Sequence, residues 1–115
     1  MADEPLRLNE WMPVPGTQHS YKIDWPFEEQ IDPEGSQVDV YLRDPSEQKF
    51  ISTFTTLEVL LDEFRIEAEE GERASGAYVP LSRHLLLRKI THEDIEKSIR
   101  DMLRLPEFSQ YFEKV

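Results

Sequence analysis

The chain has 115 residues, no cysteine, 24 Asp and Glu against 13 Lys and Arg, and a formal net charge of -11. Such a charge opposes binding to nucleic acid or an anionic membrane and favours a basic partner. The lack of cysteine removes disulfides, thiolate zinc sites and thiol catalysis, and suits a reducing compartment such as the cytoplasm.

In chain order, residues 1–37 read as an acidic, Pro-rich arm. Pro5, Pro13, Pro15, Pro26 and Pro33 forbid regular helix over most of it. The acidic start, Met1 to Pro5, has none of the basic and apolar stretches of a secretory signal. Trp11, Tyr21, Ile23, Trp25 and Phe27 supply apolar surface that is costly to leave in water, so the arm is expected to dock on a core. Tyr21, Ile23 and Trp25 alternate with polar residues, a short strand pattern ended by Pro26.

Residues 38–115 read as the core, and the whole chain, 1–115, as a single domain. Val38, Val40 and Leu42 alternate with Asp39, Tyr41 and Arg43, the period of a half-buried strand. Asp44 to Glu47 reads as a turn, and Lys49 to Thr55 as the second strand of a hairpin with Phe50 and Phe54 on one face. Thr55 with Glu58 matches a capping box, and Leu57, Leu60, Leu61, Phe64 and Ala68 follow at helical spacing until Gly71.

Residues 72–77 are expected to form a flexible loop. Tyr78-Val79 and Leu85 to Ile90 are predicted strands, the second central because its first half is continuously apolar. Thr91 with Asp94 caps a second helix whose stripe is Ile95, Ile99, Met102 and Leu103. Glu93–Lys97 and Glu96–Arg100 are expected as i,i+4 pairs on its outer face. Pro106 stops that helix, and Phe108, Tyr111 and Phe112 suggest a last turn, capping the core or binding a partner. The predicted fold is α+β: a small antiparallel or mixed sheet of about four strands against two main helices, with the Pro-rich arm. The longest aliphatic runs fall far short of the ~20 apolar residues of a bilayer span, so no membrane crossing is expected.

Candidate chemistry is sparse. His19, His84 and His92 have no metal-ligand spacing, so no metal or cofactor is expected. His92 reads as a solvated residue in a first helical turn. Ser82 and His84 could point the same way from one strand, but lack a third orienting group. No Gly-rich phosphate loop precedes a helix, and the expectation is a non-enzymatic protein.

The acids are more discriminating. Residues 1–50 hold 11 acids and 4 bases, and the stretch from Asp24 to Asp39 holds no base. There Asp24, Glu28, Glu29, Asp32 and Glu34 interleave with Trp25 and Phe27, which fits an interface for a basic surface and equally a solvated loop anchored by its aromatics. Glu67, Glu69 and Glu70 crowd a helix C-terminus, where the macrodipole favours cations. Such a breach of local preference marks a candidate binding surface or an acidic face kept for solubility.

The order of strand hairpin, capped helix, Gly76-Ala77-Tyr78 segment, apolar strand and Thr-capped helix resembles small bacterial α+β proteins. In size, acidity and absence of catalytic groups the chain is similar to immunity proteins that neutralise bacterial toxins. That resemblance implies inhibition of a basic protein partner; no motif carries residues across, and the residues themselves suggest Trp25 and Phe27 as anchors with Glu28, Glu29, Asp32, Glu67 and Glu70 steering. The contrasting expectations are a structural or regulatory subunit, a nucleic-acid mimic, and a small enzyme or ligand-binding domain.

Overall fold

The computed structural model describes residues 5–77 and 84–115. Strands β1 (Met12–Pro13), β2 (Ser20–Asp24), β3 (Val38–Arg43) and β4 (Lys49–Thr56) lead into α1 (Leu57–Glu70) and the single turn α2 (Arg73–Gly76). β5 (His84–Leu87), α3 (His92–Met102), α4 (Phe108–Tyr111) and β6 (Glu113–Lys114) complete the chain. The class is α+β. The sheet has six strands rather than about four, in the order β1-β2-β3-β4-β5 with β6 also on β4, and the extra pairings are the two-residue β1 and β6. All pairs are antiparallel except β4–β5.

Register explains the core. Tyr21 pairs with Leu42 and Leu42 with Phe50; Ile23 pairs with Val40 and Val40 with Ser52; Val38 pairs with Phe54 and Phe54 with Leu85. Because side chains alternate across a strand, these rows share one face. That face is sealed by Ile95, Ile99 and Met102 of α3, with Val14, Ile90 and Phe112 filling the margins. The terminal aromatics cap their own core: Phe112 is buried, stacked on Phe108 at 4.9 Å and edge-on to Phe54 at 6.2 Å.

Residues before and just after β2 also contribute to packing. Leu6, Leu8, Met12 and Trp25 pack against the core, and Asn9 clamps the segment. Its backbone N–H donates to the Ile23 carbonyl at 2.8 Å, and its amide bonds both the N–H and the carbonyl of Trp25.

Several local expectations are corrected. Thr55 does not cap α1, because it stays in β4 opposite Leu86. Thr56 is the N-cap residue without a side-chain cap bond, and its hydroxyl donates instead to the Glu34 carbonyl. The 72–77 segment contains the helical turn α2. A Cβ on Gly76, which has φ 82°, would lie 2.6 Å from the Phe64 carbonyl oxygen, so only glycine lets this turn close on α1. The apolar run beginning at Leu85 forms the edge strand of the order, and Leu86 faces solvent. The predicted strand at Tyr78-Val79 lies outside the described residues. Thr91 caps α3 as expected, accepting from the Asp94 N–H at 3.1 Å, and Lys97 pairs with Glu93 at 2.8 Å. Glu96 and Arg100 do not pair with each other: Glu96 accepts from Tyr21, and Arg100 reaches the Pro15 carbonyl.

Candidate protein-binding surface

The first acidic segment divides into a structural half and an exposed half. Asp24 ends β2 opposite Asp39 and is half-buried. Trp25 is half-buried, and its indole N–H donates to the Glu29 carbonyl at 2.9 Å, which folds the following loop back on the ring. Phe27 meets Trp25 edge-on at 5.0 Å, yet 57% of it remains exposed, beside exposed Glu28 and Glu29. Of the two aromatic anchors, Phe27 presents the surface and Trp25 supports it.

Asp32 organises the next turn. Its Oδ1 accepts from the Glu34 N–H, its carbonyl accepts from the Gly35 N–H, and its own N–H donates to Ser36 Oγ. The turn is clamped from both sides, by the Ile90 N–H on the Pro33 carbonyl at 2.7 Å and by the Thr56 hydroxyl on the Glu34 carbonyl at 2.5 Å. Gly35 therefore sits between two carboxylates: a Cβ there would lie 2.8 Å from Asp32 Oδ2 and 3.7 Å from Glu58 Oε2. This contact joins the acidic loop to the start of α1. Glu34 also meets Lys89 at 3.8 Å.

The second acidic segment occupies the other end of α1, about 20 Å away at 1.5 Å per residue. Glu69 and Glu70 are exposed, whereas Glu67 is the one buried residue of the helix. Gly71, with φ 73°, ends α1 as expected. Arg65 lies between Asp62 at 3.5 Å and Glu69 at 3.4 Å, all solvent-exposed and therefore of little stabilising value. The apolar stripe beside these acids is in solvent: Leu57 and Leu61 are 59% and 58% exposed, and Phe64 is also exposed.

Two constellations escape sequence reasoning. On the sheet face opposite α3, Arg43 stacks on the Trp11 ring at 4.3 Å, and Lys22 lies 5.1 Å from Trp11 and 5.5 Å from Tyr41. Cation–π attraction thus fixes two bases to one aromatic pair. The only sequence signal is Lys22 opposite Tyr41, which emerges once the β2–β3 register is known. The second is His92, which is not a freely solvated residue: it bonds the Tyr21 hydroxyl through Nδ1 and accepts from the Arg7 N–H through Nε2.

His84 is half-buried on β5 opposite Thr53, and Ser82 lies outside the described residues. Among the described residues no three His, Asp or Glu side chains gather as a metal site, and no helix is long and apolar enough to cross a membrane. A cleft lined by Gly16, Thr17, Lys97, Ser98, Arg100 and Arg104 among others lies away from the acidic loop. Comparison with protein families, with curated proteins and with solved structures finds no match to this chain.

Proposed function

We propose that this protein is a non-enzymatic acidic binding protein that inhibits a basic protein partner, in the manner of a cytoplasmic immunity protein neutralising a bacterial toxin. The observation that carries the reading is the junction at Gly35. There Asp32, from the acidic loop, and Glu58, from α1, flank one backbone position. Glu58 of α1 thereby adjoins the acids of the loop, with exposed Phe27 on the loop as an apolar anchor, while Glu67, Glu69 and Glu70 lie at the far end of the helix.

Clustered carboxylates accelerate encounter with a cationic surface, and a desolvated aromatic slows dissociation. Lys89 meets the loop at Glu34, and other bases, in the arm and β3, are engaged elsewhere. Arg7 pairs with Glu10, and Lys22 and Arg43 lie on aromatic rings across the sheet. The alternative of a subunit that binds through its terminal aromatics loses support, because Phe108 and Phe112 are used in the core.

Affinity capture on the immobilised chain at low ionic strength tests the reading. The expected product is a protein of high isoelectric point whose own activity is inhibited in the complex. Reversing charge at Glu28, Glu29 and Asp32 together should slow association about tenfold, as should raising the salt. A partner that is acidic, or one indifferent to both changes, overturns the proposal.

A further inference from the structure

The first helix is inverted relative to an ordinary surface helix: its single buried residue is Glu67, while Leu57, Leu61 and Phe64 face solvent. Leucines one turn apart, followed by Phe64 a turn later, make a continuous stripe on one side of α1. Glu58, Asp62 and Glu69 each sit one residue beyond an apolar position of that side, Leu57, Leu61 and Ala68, and form a parallel, mainly acidic row interrupted by Arg65, which lies beyond Phe64 and between Asp62 and Glu69. An exposed stripe of this kind, on a helix with six acids and one base, marks a docking face. α2 meets this side at its C-terminal end, where Gly76 approaches the Phe64 carbonyl and Ala68, while Leu57 and Leu61 stay exposed.

We infer that this face of α1 receives an amphipathic helix of the partner, with leucine-like residues against Leu57, Leu61 and Phe64 and Lys or Arg against Glu58, Asp62 and Glu69. The inference rests on the reading of a basic protein partner and names the element it presents. Charge selects the occupant. A second copy of this chain would set an α1 of six acids and one base against another like it, each chain at net -11. A basic helix satisfies both rows at once, because its own i, i+4 spacing matches that of α1. An α1 of 14 residues accommodates an occupant of about four turns.

The probe is an 18-residue peptide of Leu and Lys whose leucines fall on one helical face, compared by titration calorimetry with an isomer of identical composition whose leucines are spread around the helix. The full chain is expected to bind the facial peptide at least about tenfold more tightly than the isomer. Leu57→Ser with Leu61→Ser should abolish that preference. Both residues are exposed, so the variant keeps its fold, checked by circular dichroism. Equal binding of the two peptides, or an undiminished preference in the serine variant, overturns the inference. Charge reversal at Glu28, Glu29 and Asp32 runs in parallel. Loss of the preference there but not in the serine variant removes α1 and leaves the basic-partner reading standing. Failure of the native chain to bind either peptide counts against both.

Discussion

The Tyr21 hydroxyl lies 2.5 Å from Nδ1 of His92, and the geometry decides which atom carries the proton. The Arg7 N–H donates to Nε2 at 2.9 Å, so Nε2 is the acceptor and the neutral ring carries its proton on Nδ1. Nδ1–H then donates to Tyr21, and the Tyr21 hydroxyl donates to Glu96 at 2.7 Å. A buried tyrosine of the sheet, a helix and the arm are thus connected through one imidazole.

The imidazole should hold the arm at this point. The Tyr21 hydroxyl and, through it, the Glu96 carboxylate meet the ring at Nδ1, and the Arg7 N–H meets it at Nε2. His92→Phe removes the acceptor, and the Arg7 amide is expected to lose about tenfold of its hydrogen-exchange protection at constant pH; unchanged Arg7 protection in the variant contradicts the assignment.

Alkali should act through Tyr21. Burial, and then the hydrogen bond and charge of Glu96, raise its phenol above the ordinary value of 10.0. The sign follows from proton counting: above pH 10 the unfolded chain has lost this proton and the folded chain retains it, so stability falls as pH rises. The contribution is complete below pH 10 and declines above it. Urea denaturation from pH 8 to 11 should show a shallower alkaline decline in Tyr21→Phe, with about 1–3 kcal/mol lost at neutral pH from the missing bond to a charged acceptor.

Ser52 is a polar residue in an apolar row, opposite Val40, and its buried hydroxyl has no partner among the described residues. Removing an unpaired buried hydroxyl at the same volume relieves a desolvation cost. Ser52→Ala is expected to stabilise the protein by about 1 kcal/mol, read as a higher urea midpoint at unchanged slope.

Gly76→Ala should act in the opposite direction. It forces a side chain onto a residue at φ 82° and places Cβ against the Phe64 carbonyl. The expected cost is about 1–3 kcal/mol. It should appear first as faster hydrogen exchange in the last turn of α1, while α3 amides keep their protection.

The helix caps mark the limit of local reading. Thr91 with Asp94 is legible because the competing structure is only loop, and Thr91→Ala should cost about 1 kcal/mol. Thr55 with Glu58 has the same pattern, but β4 continues through Thr55 to pair with Leu86, so a nonlocal ladder prevails over a local cap. The alternation of Val38, Val40 and Leu42 identified β3 because one face of that strand is buried. The apolar run at Leu85 suggested a central strand, and the sheet order places it at the edge. Periodicity located the stripe of α1 equally well, but a stripe carries no information about what it meets. The His92 contacts join residues 71 and 85 positions apart, beyond any sequence window. In the candidate site, Phe27, Glu28 and Glu29 were readable as exposed chemistry, whereas burial of Glu67 was concealed by its acidic neighbours.

The division between α3 and α1 bears on how such a protein can diversify. Substitutions on the inner face of α3 disturb Ile95, Ile99 or Met102 and are judged by folding. Those at Leu57, Leu61 or Phe64 leave the rows beneath the sheet untouched. Residues exposed on α1 and residues that hold the chain together are therefore separate sets. Under the proposed function the first set can be rewritten to follow a changing partner while the second stays constant.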